Sequence, residues 1–457
     1  MNQSIAGFDF GTSNCAVGIM QGQQAHLVKL PAHGHYMPST LFAPQSEMIC
    51  GWLYQQLDAQ GQAEAYKHAR SHQLSASLRA LRELKLDGYD EHLSFGQQAL
   101  HEYLIDPADC YYVRSPKSFL GASGIRERQQ QQFEDIAAAM MWHIAEQVKQ
   151  TGLANLEKVV IGRPVNFQGL NSELSNQQAL NILRNAAKYV GFKHVEFLYE
   201  PMAAGLSYQQ QLHKEQRVLV IDIGGGTSDI SMLTMGPNYL AERDHQSLVL
   251  GYNGERIGGN DFDIALNFET LMPCLGAKLL LASGQPMPIK PFWDAAAIND
   301  FPAQARFYHQ DTSLLLQRLL KEPQLAPLKA LVRLSQGRLT YQMSASAEQA
   351  KIALSEQSET VVDLGYLSEQ LQAEVSQTSY RQAAERLLTN IAKLSDEVLA
   401  QAACQPEVIF LTGGSANSPM IKDFLAKRYQ APLICGDNFG SVTSGLTLWA
   451  NHIFQAT

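Results

Sequence analysis

The stretch at 218–233, VLVIDIGGGTSDISML, restricts the possible folds of this chain more than any other. Four apolar residues of high β propensity run into Asp222, then come Ile223, three glycines, Thr227, Ser228 and Asp229, and an apolar/polar alternation resumes at Ile230. That order reads as strand, tight turn, strand. Gly224, Gly225 and Gly226 permit positive φ and leave bare backbone N–H groups to close around an anion. The carboxylates of Asp222 and Asp229 suit a hydrated divalent cation. A hairpin so equipped fits a metal-bound polyphosphate, although taken alone it also reads as an ordinary glycine-rich β-turn.

A second copy strengthens the polyphosphate reading. At 5–19 the chain runs IAGFDFGTSNCAVGI, again an apolar strand, an aspartate, a glycine, a Thr/Ser pair, a polar residue and an alternating strand. Asp9 corresponds to Asp222, which lies 213 residues further on, nearly half the chain. The expectation is an internal duplication: two α/β halves, each giving one phosphate hairpin to a shared cleft. Neither hairpin fits GxxxxGK[ST], nor GxGxxG opening a helix, so Walker-type and Rossmann sites are excluded.

A length of 457 residues permits two to four domains with real cores, and 45% hydrophobic with 17% charged residues is ordinary for a globular enzyme. A formal charge of −9 gives no broad attraction to nucleic acid or anionic lipid, so neither is an expected partner. The six cysteines form no CxxC pair and read as buried or incidental thiols of a reducing compartment. With no basic leader and no apolar run of membrane-spanning length, a cytoplasmic location is expected.

Between and after the hairpins the pattern is mixed. His33 and His35 sit in a proline-broken stretch and read as loop histidines for want of a third ligand. The segment 50–86 is helical in pattern with a basic edge, Arg79, Arg82 and Lys85. Lys117 follows a Tyr/Val strand in a turn, where a lone lysine usually faces solvent. An amphipathic helix is expected over 126–150 with Ser123 as its cap, a buried strand over 156–163, a helix over 175–190 and a strand over 195–198. Glu200 then stands at a strand-to-helix turn, the edge of an α/β sheet where ligand groups collect, although a helix-start carboxylate would read the same way. Gly258 and Gly259 open a helix, 267–345 reads as an inserted helical lobe, and 347–364 passes from helix to strand period. A long helix is expected over 367–403, followed by a strand at 407–412, the turn Gly413, Gly414, Ser415, a strand at 432–435 and a last helix from about 441.

Taken together, the motifs GFDFGTSN, FLYEPMAAGLSY, VLVIDIGGGTSDIS and LTGGS, in that order, resemble the ATPase domain of the DnaK-type heat-shock chaperones, in the actin and hexokinase superfamily. The resemblance is clear over 1–45, 95–263 and 345–449 and weak in the two helical insertions. It implies a duplicated actin-like (ribonuclease H-like) α/β fold with ATP and Mg2+ in a cleft between an N-terminal lobe, 1–205 with an insertion at about 50–94, and a C-terminal lobe, 206–457 with an insertion at about 264–345. By position, Asp9 and Asp222 would hold hydrated magnesium and Asp229 would order its waters. Gly11, Thr12, Ser13, Asn14, Gly224, Gly225, Gly226 and Thr227 would surround the phosphates. Lys117 matches the family's lysine beside the attacking water, and Glu200 its glutamate at the magnesium and hinge. Gly258, Gly259, Glu348, Lys351, Ser355, Gly413, Gly414 and Ser415 would serve the rest of the nucleotide, with Glu348, Lys351 and Ser355 on one helix.

Two departures stand out. Where the family stacks two arginines on adenine, this chain has Ile352 and Asn417, and no interdomain linker or peptide-binding domain is expected after the ATPase module. The reading is therefore a slow magnesium-dependent ATPase, a nucleotide switch binding ATP and ADP and working through a separate protein partner or co-chaperone. The alternatives are a small-molecule kinase of the same superfamily and an actin-like assembly protein.

Overall fold

Two β hairpins flank the aspartates because period-two alternation on either side of a tight turn buries one face of each strand. The computed structural model describes residues 5–88, 92–108, 110–167, 172–239, 245–437 and 440–455, so 89–91 of the expected first insertion lie outside the described residues. Strands β1 (Ile5–Phe10) and β2 (Asn14–Gln21) pair antiparallel, β3 (Gln24–Leu27) extends the meander, and β4 (Lys158–Arg163) and β5 (His194–Tyr199) join the other side of β1 in parallel. Their order is β3-β2-β1-β4-β5. The second sheet uses β6 (Gln216–Ile223), β7 (Ser228–Met235), β8 (Val249–Glu255), β9 (Val408–Thr412) and β10 (Leu433–Cys435). Its order, β8-β7-β6-β9-β10, repeats that of the first sheet, as do its strand directions. The fold is mixed α/β.

The parallel pairs require crossovers, and helices supply them. In the first half, α1 (Met48–Ala59) and α2 (Ser71–Leu86) form the helical segment, and α3 (Glu127–Gln150) and α4 (Ser172–Tyr189) precede β4 and β5. Helix α3 is capped by Arg126, whose backbone N–H donates to Gln129 Oε1 at 2.9 Å, rather than by Ser123. The reciprocal glutamine fixes the start three residues later than a hydroxyl cap would. After β5, α5 (Glu200–Gln209) begins at Glu200 itself. A core of Leu198, Met202, Ala203, Val220, Phe410, Val442 and Leu446 joins α5 to strands of both sheets and to the C-terminal helix (Gly440–Gln455).

The helical segment is fastened by one buried charge. Arg70, which precedes α2, is 2% exposed and donates to Asp135 Oδ1 at 2.8 Å and to Glu134 Oε2 at 2.7 Å on α3. Its guanidinium also lies over the rings of Tyr66 and Tyr189, 5.4 Å from each centroid.

Further along, α6 (Gly259–Leu266) and α7 (Thr340–Ala353) bracket a run of short helices, and a hairpin of Glu359–Asp363 with Gln372–Ser376 precedes α8 (Gln377–Ala402). The long helix expected from 367 thus starts ten residues later. QAEVS alternates buried Ala373 and Val375 with exposed neighbours and completes a strand pair instead. Ser355 lies in the turn just past the end of α7 rather than on it.

The chain divides into two compact units, one of Met1–Arg256, Lys393–Ala416 and Arg428–Thr457, the other of Ile257–Ala392 and Asn417–Lys427. Both five-stranded paths belong to the first unit, and position 205 falls inside it. No helix among the described residues is long and apolar enough to cross a membrane.

Candidate functional site

In the first unit three turns meet at the strand ends. Gly11, Thr12, Ser13 and Asn14 from the β1–β2 turn, Gly224, Gly225 and Thr227 from the β6–β7 turn, and Gly413 and Gly414 after β9 line a hollow of about 60 Å3 with Asp9, Asp222 and Glu200. The first two turns touch: a Cβ on Gly225 would lie 2.0 Å from Ser13 Oγ. Gly413 has φ of +88°, and a Cβ there would meet Ile223 O at 2.4 Å. Neither position leaves room for a side chain, so glycine is required at both. Ser415 lines no part of it and instead donates its N–H to Ile223 O at 3.3 Å.

The acidic residues come from strand ends. Asp9 is the penultimate residue of β1, while Asp222 of β6 sits opposite Asp229 of β7 and beside Thr412 of β9. Asp229 Oδ1 accepts the N–H of Val165 at 2.6 Å, whereas its Oδ2 is buried with no hydrogen-bond partner. Glu200 ends up near them because β4 and β5 run parallel with Arg163 opposite Tyr199, so their carboxyl ends open on one edge.

Lys117 departs from the usual surface lysine. It lies in a 3-10 turn, Pro116–Phe119, is 4% exposed, pairs with Glu200 Oε1 and donates to Gly162 O at 3.1 Å. Pro116 and the left-handed Ser115, φ 56°, turn the chain inward just after a strand, which directs the ammonium beneath the turns.

So many carboxyl groups in one place resist ionisation. Burial, followed by the charge of Glu200, pushes Asp9 up to about 7, and the same two causes push Asp229 up to about 7. Asp222 is held well above the usual carboxylate range by burial and by Glu200, Asp229 and Asp9. For Lys117 burial acts downward, but Glu200 and Asp9 outweigh it and keep the ammonium above its ordinary value. A divalent cation fits this donor set, because it would offset the mutual repulsion and give the unpartnered Asp229 oxygen an electrostatic partner. Among the described residues no three carboxylate, imidazole or thiol groups are arranged to hold a metal directly.

The second unit contains the remaining sequence candidates. Lys351 of α7 reaches Asp263 Oδ1 at 2.8 Å and Gly259 O at 3.2 Å, which brings it to the start of α6, where Gly258 N donates to Asp261 Oδ2 at 2.8 Å. Glu348 lies one turn before it on α7, and Ser355 Oγ reaches Lys351 O at 3.4 Å. Ile352 is 53% exposed on the same helix, and Asn417 is exposed.

Sequence reasoning missed Tyr36 and Val442, which also line the 60 Å3 hollow, and Ser118, Pro164, Phe167 and Arg256, which line its neighbour. The signal for Pro164 was available: it ends a strand as Glu200 does, on the adjacent parallel strand. Tyr36 and Arg256 carry no local signal.

The Hsp70 protein family model matches residues 117–271. Chaperone protein dnaK3 of Synechocystis sp. is 23% identical over 429 residues, covering 92% of this chain and 44% of the relative. Chaperone protein DnaK of Mycoplasmoides gallisepticum is 22% identical over 433 residues, 92% of this chain and 55% of the relative. Chaperone protein HscA homolog of Rickettsia typhi is 24% identical over 265 residues, 58% of this chain and 37% of the relative. The chain spans about half the length, or less, of these curated relatives.

Proposed function

Because the chain belongs to the DnaK-type Hsp70 family, we propose that it is an ATP-binding, magnesium-dependent slow ATPase, a cytoplasmic nucleotide switch that works through a protein partner or co-chaperone. The observation that carries this reading is the meeting of three glycine- and hydroxyl-bearing turns over Asp9, Asp222 and the buried Lys117–Glu200 pair. Phosphoryl transfer needs positioned donors and neutralised charge more than covalent chemistry, and these residues offer both. Backbone amides of the turns with Thr12, Ser13 and Thr227 bind phosphate oxygens. Asp9 and Asp222 would hold Mg2+ through its waters, with Asp229 ordering them. When bound, the ion supplies positive charge to the phosphates. Lys117 orients the water that attacks and stabilises charge on the γ-phosphoryl oxygens, and Glu200 holds Lys117 in place.

The matching order and direction of the two sheets support a duplicated actin-like fold with lobes at 1–205 and 206–457. Gly258, Gly259, Glu348, Lys351, Ser355 and Ser415 belong to the ribose and base side of the same reading.

The test is ATP turnover by the purified chain with Mg2+ and with chelator, each with and without candidate partners. Slow turnover that stops on chelation is expected. No turnover under any of these conditions would sink the ATPase reading.

The base should be held loosely. Guanidinium stacking on an aromatic ring contributes about 0.5–2 kcal/mol per contact, so two missing arginines weaken adenine binding by about 1–4 kcal/mol unless replaced. Ile352 gives apolar contact and Asn417 a small polar group, a partial replacement. Calorimetry is expected to show weak ATP binding with poor rejection of GTP, and Ile352→Arg with Asn417→Arg to strengthen ATP binding selectively. Tight ATP binding that already excludes GTP would overturn the assignment of these two positions.

A further inference from the structure

We propose that Arg256 is a catalytic residue, the guanidinium that meets the γ-phosphoryl group as it leaves ATP; this rests on the nucleotide reading above. Beside the phosphate hollow is a second of about 20 Å3, which shares Thr12, Glu200 and Thr227 with it and is bounded also by Lys117, Gly226 and Arg256. That volume admits a single water. It therefore adjoins the place where a water and a phosphoryl group would react.

Phosphoryl transfer is commonly met by more than one cation. Lys117 pairs with the carboxylate of Glu200 and donates to the carbonyl of Gly162. Asp9 and Asp222 line the adjoining hollow and supply no positive charge. Of the described residues lining the two hollows, Lys117 and Arg256 are the permanent cations. A phosphoryl group in flight spreads its charge over three oxygens, and the planar fork of a guanidinium matches two of them at once. Arg256 follows directly on β8, whose end is tied to the segment after β4: Asn166 Nδ2, just past Pro164, donates to Gly254 O at 3.2 Å. An arginine mounted on a strand end is positioned more closely than one on a free loop.

In the step, the water oxygen forms a bond to the γ-phosphorus while the bond from that phosphorus to the β,γ-bridging oxygen breaks. The bridging oxygen keeps the electron pair as part of ADP. The second water proton passes to a phosphoryl oxygen, so orthophosphate leaves as H2PO4−. Arg256 donates hydrogen bonds to the phosphoryl oxygens throughout and exchanges no proton.

The experiment compares the unmutated chain with Arg256→Ala and Arg256→Lys for single-turnover hydrolysis of ATP with Mg2+, for ATP affinity, and for the gain in ADP affinity on adding fluoroaluminate, a mimic of the transferring group. Arg256→Ala is expected to slow hydrolysis about 10²–10³-fold, leave ATP affinity within about threefold, and lose the fluoroaluminate gain. Arg256→Lys should recover part of the rate, which a folding defect at this position would not predict. Unmutated-rate hydrolysis by Arg256→Ala, or loss of rate and affinity by the same factor, overturns the role. An unmutated chain that binds no ATP overturns the nucleotide reading and this role with it. An unmutated chain that hydrolyses ATP beside an equally active Arg256→Ala overturns this role alone.

Discussion

Lys117→Ala is expected to lower the rate of ATP hydrolysis about 10²–10³-fold while ATP affinity changes much less. Lys117 is buried and bonded to Glu200 and Gly162 O, and under the proposed function its ammonium would act on the reacting group rather than on the nucleotide as a whole. Glu200→Ala should produce a loss of similar size, and the double substitution little more than either single one, because the two side chains act as a unit. The measurement is a double-mutant cycle on single-turnover rate, with ATP affinity followed in parallel. Additive losses, or equal losses of rate and affinity, would refute the pairing as a catalytic device. Glu200→Ala should also cost folding stability, since it leaves a lysine that is 4% exposed without its carboxylate.

The largest effect on stability is expected at Arg70. Arg70→Met removes the partner of two carboxylates on α3 and both ring contacts. Breaking a buried pair from one side costs about 3–5 kcal/mol, which for a unit of this size lowers the melting temperature by roughly 10 °C. The cost depends on pH in a defined direction. Burial already pushes Asp135 up to about 6 from 3.8, with Arg70 opposing it. An acid whose folded pKa lies above its unfolded value binds its proton more tightly when folded. Its contribution is therefore present in full below about pH 4 and is lost as pH rises through 6. Without Arg70 the folded value rises further, so the deficit of Arg70→Met should be larger at pH 8 than at pH 5. Denaturant melts of both proteins at the two pH values check this. A deficit that is the same at both, or larger in acid, would mean that Asp135 is not the group left exposed to the loss.

Substituting Arg70 removes no contact of the glycine-bearing turns, and substituting Lys117 removes none of the helical segment. The two experiments therefore separate the chemistry of the site from the attachment of the helical segment.

Both hairpins were legible because everything that makes them is local. An alternating strand, an aspartate, a turn of glycines and hydroxyls and a second alternating strand are all contained in about sixteen residues, and strand period and turn chemistry operate over that range. The helices over 127–150 and 172–189 were legible for the same reason, since an amphipathic stripe repeats within each. The strand pair of 359–363 with 372–376 was half missed because five residues of alternation are too few to be told from the start of the helix that follows. Pairing with a partner thirteen residues away decided it. Long-range packing decided the rest: that Lys117 is buried rather than solvent-facing, that Arg70 clamps Glu134 and Asp135 some sixty residues on, and that Tyr36 and Arg256 line the hollows at all. A lone lysine, arginine or tyrosine carries no period and no turn chemistry, so its neighbours in sequence say nothing about what it will face. What the sequence determined by itself was the two glycine-turn hairpins, because strand period and turn chemistry are local. What only the tertiary structure decided was which charged side chains reach them, because that depends on where strands far apart in the chain come to an end.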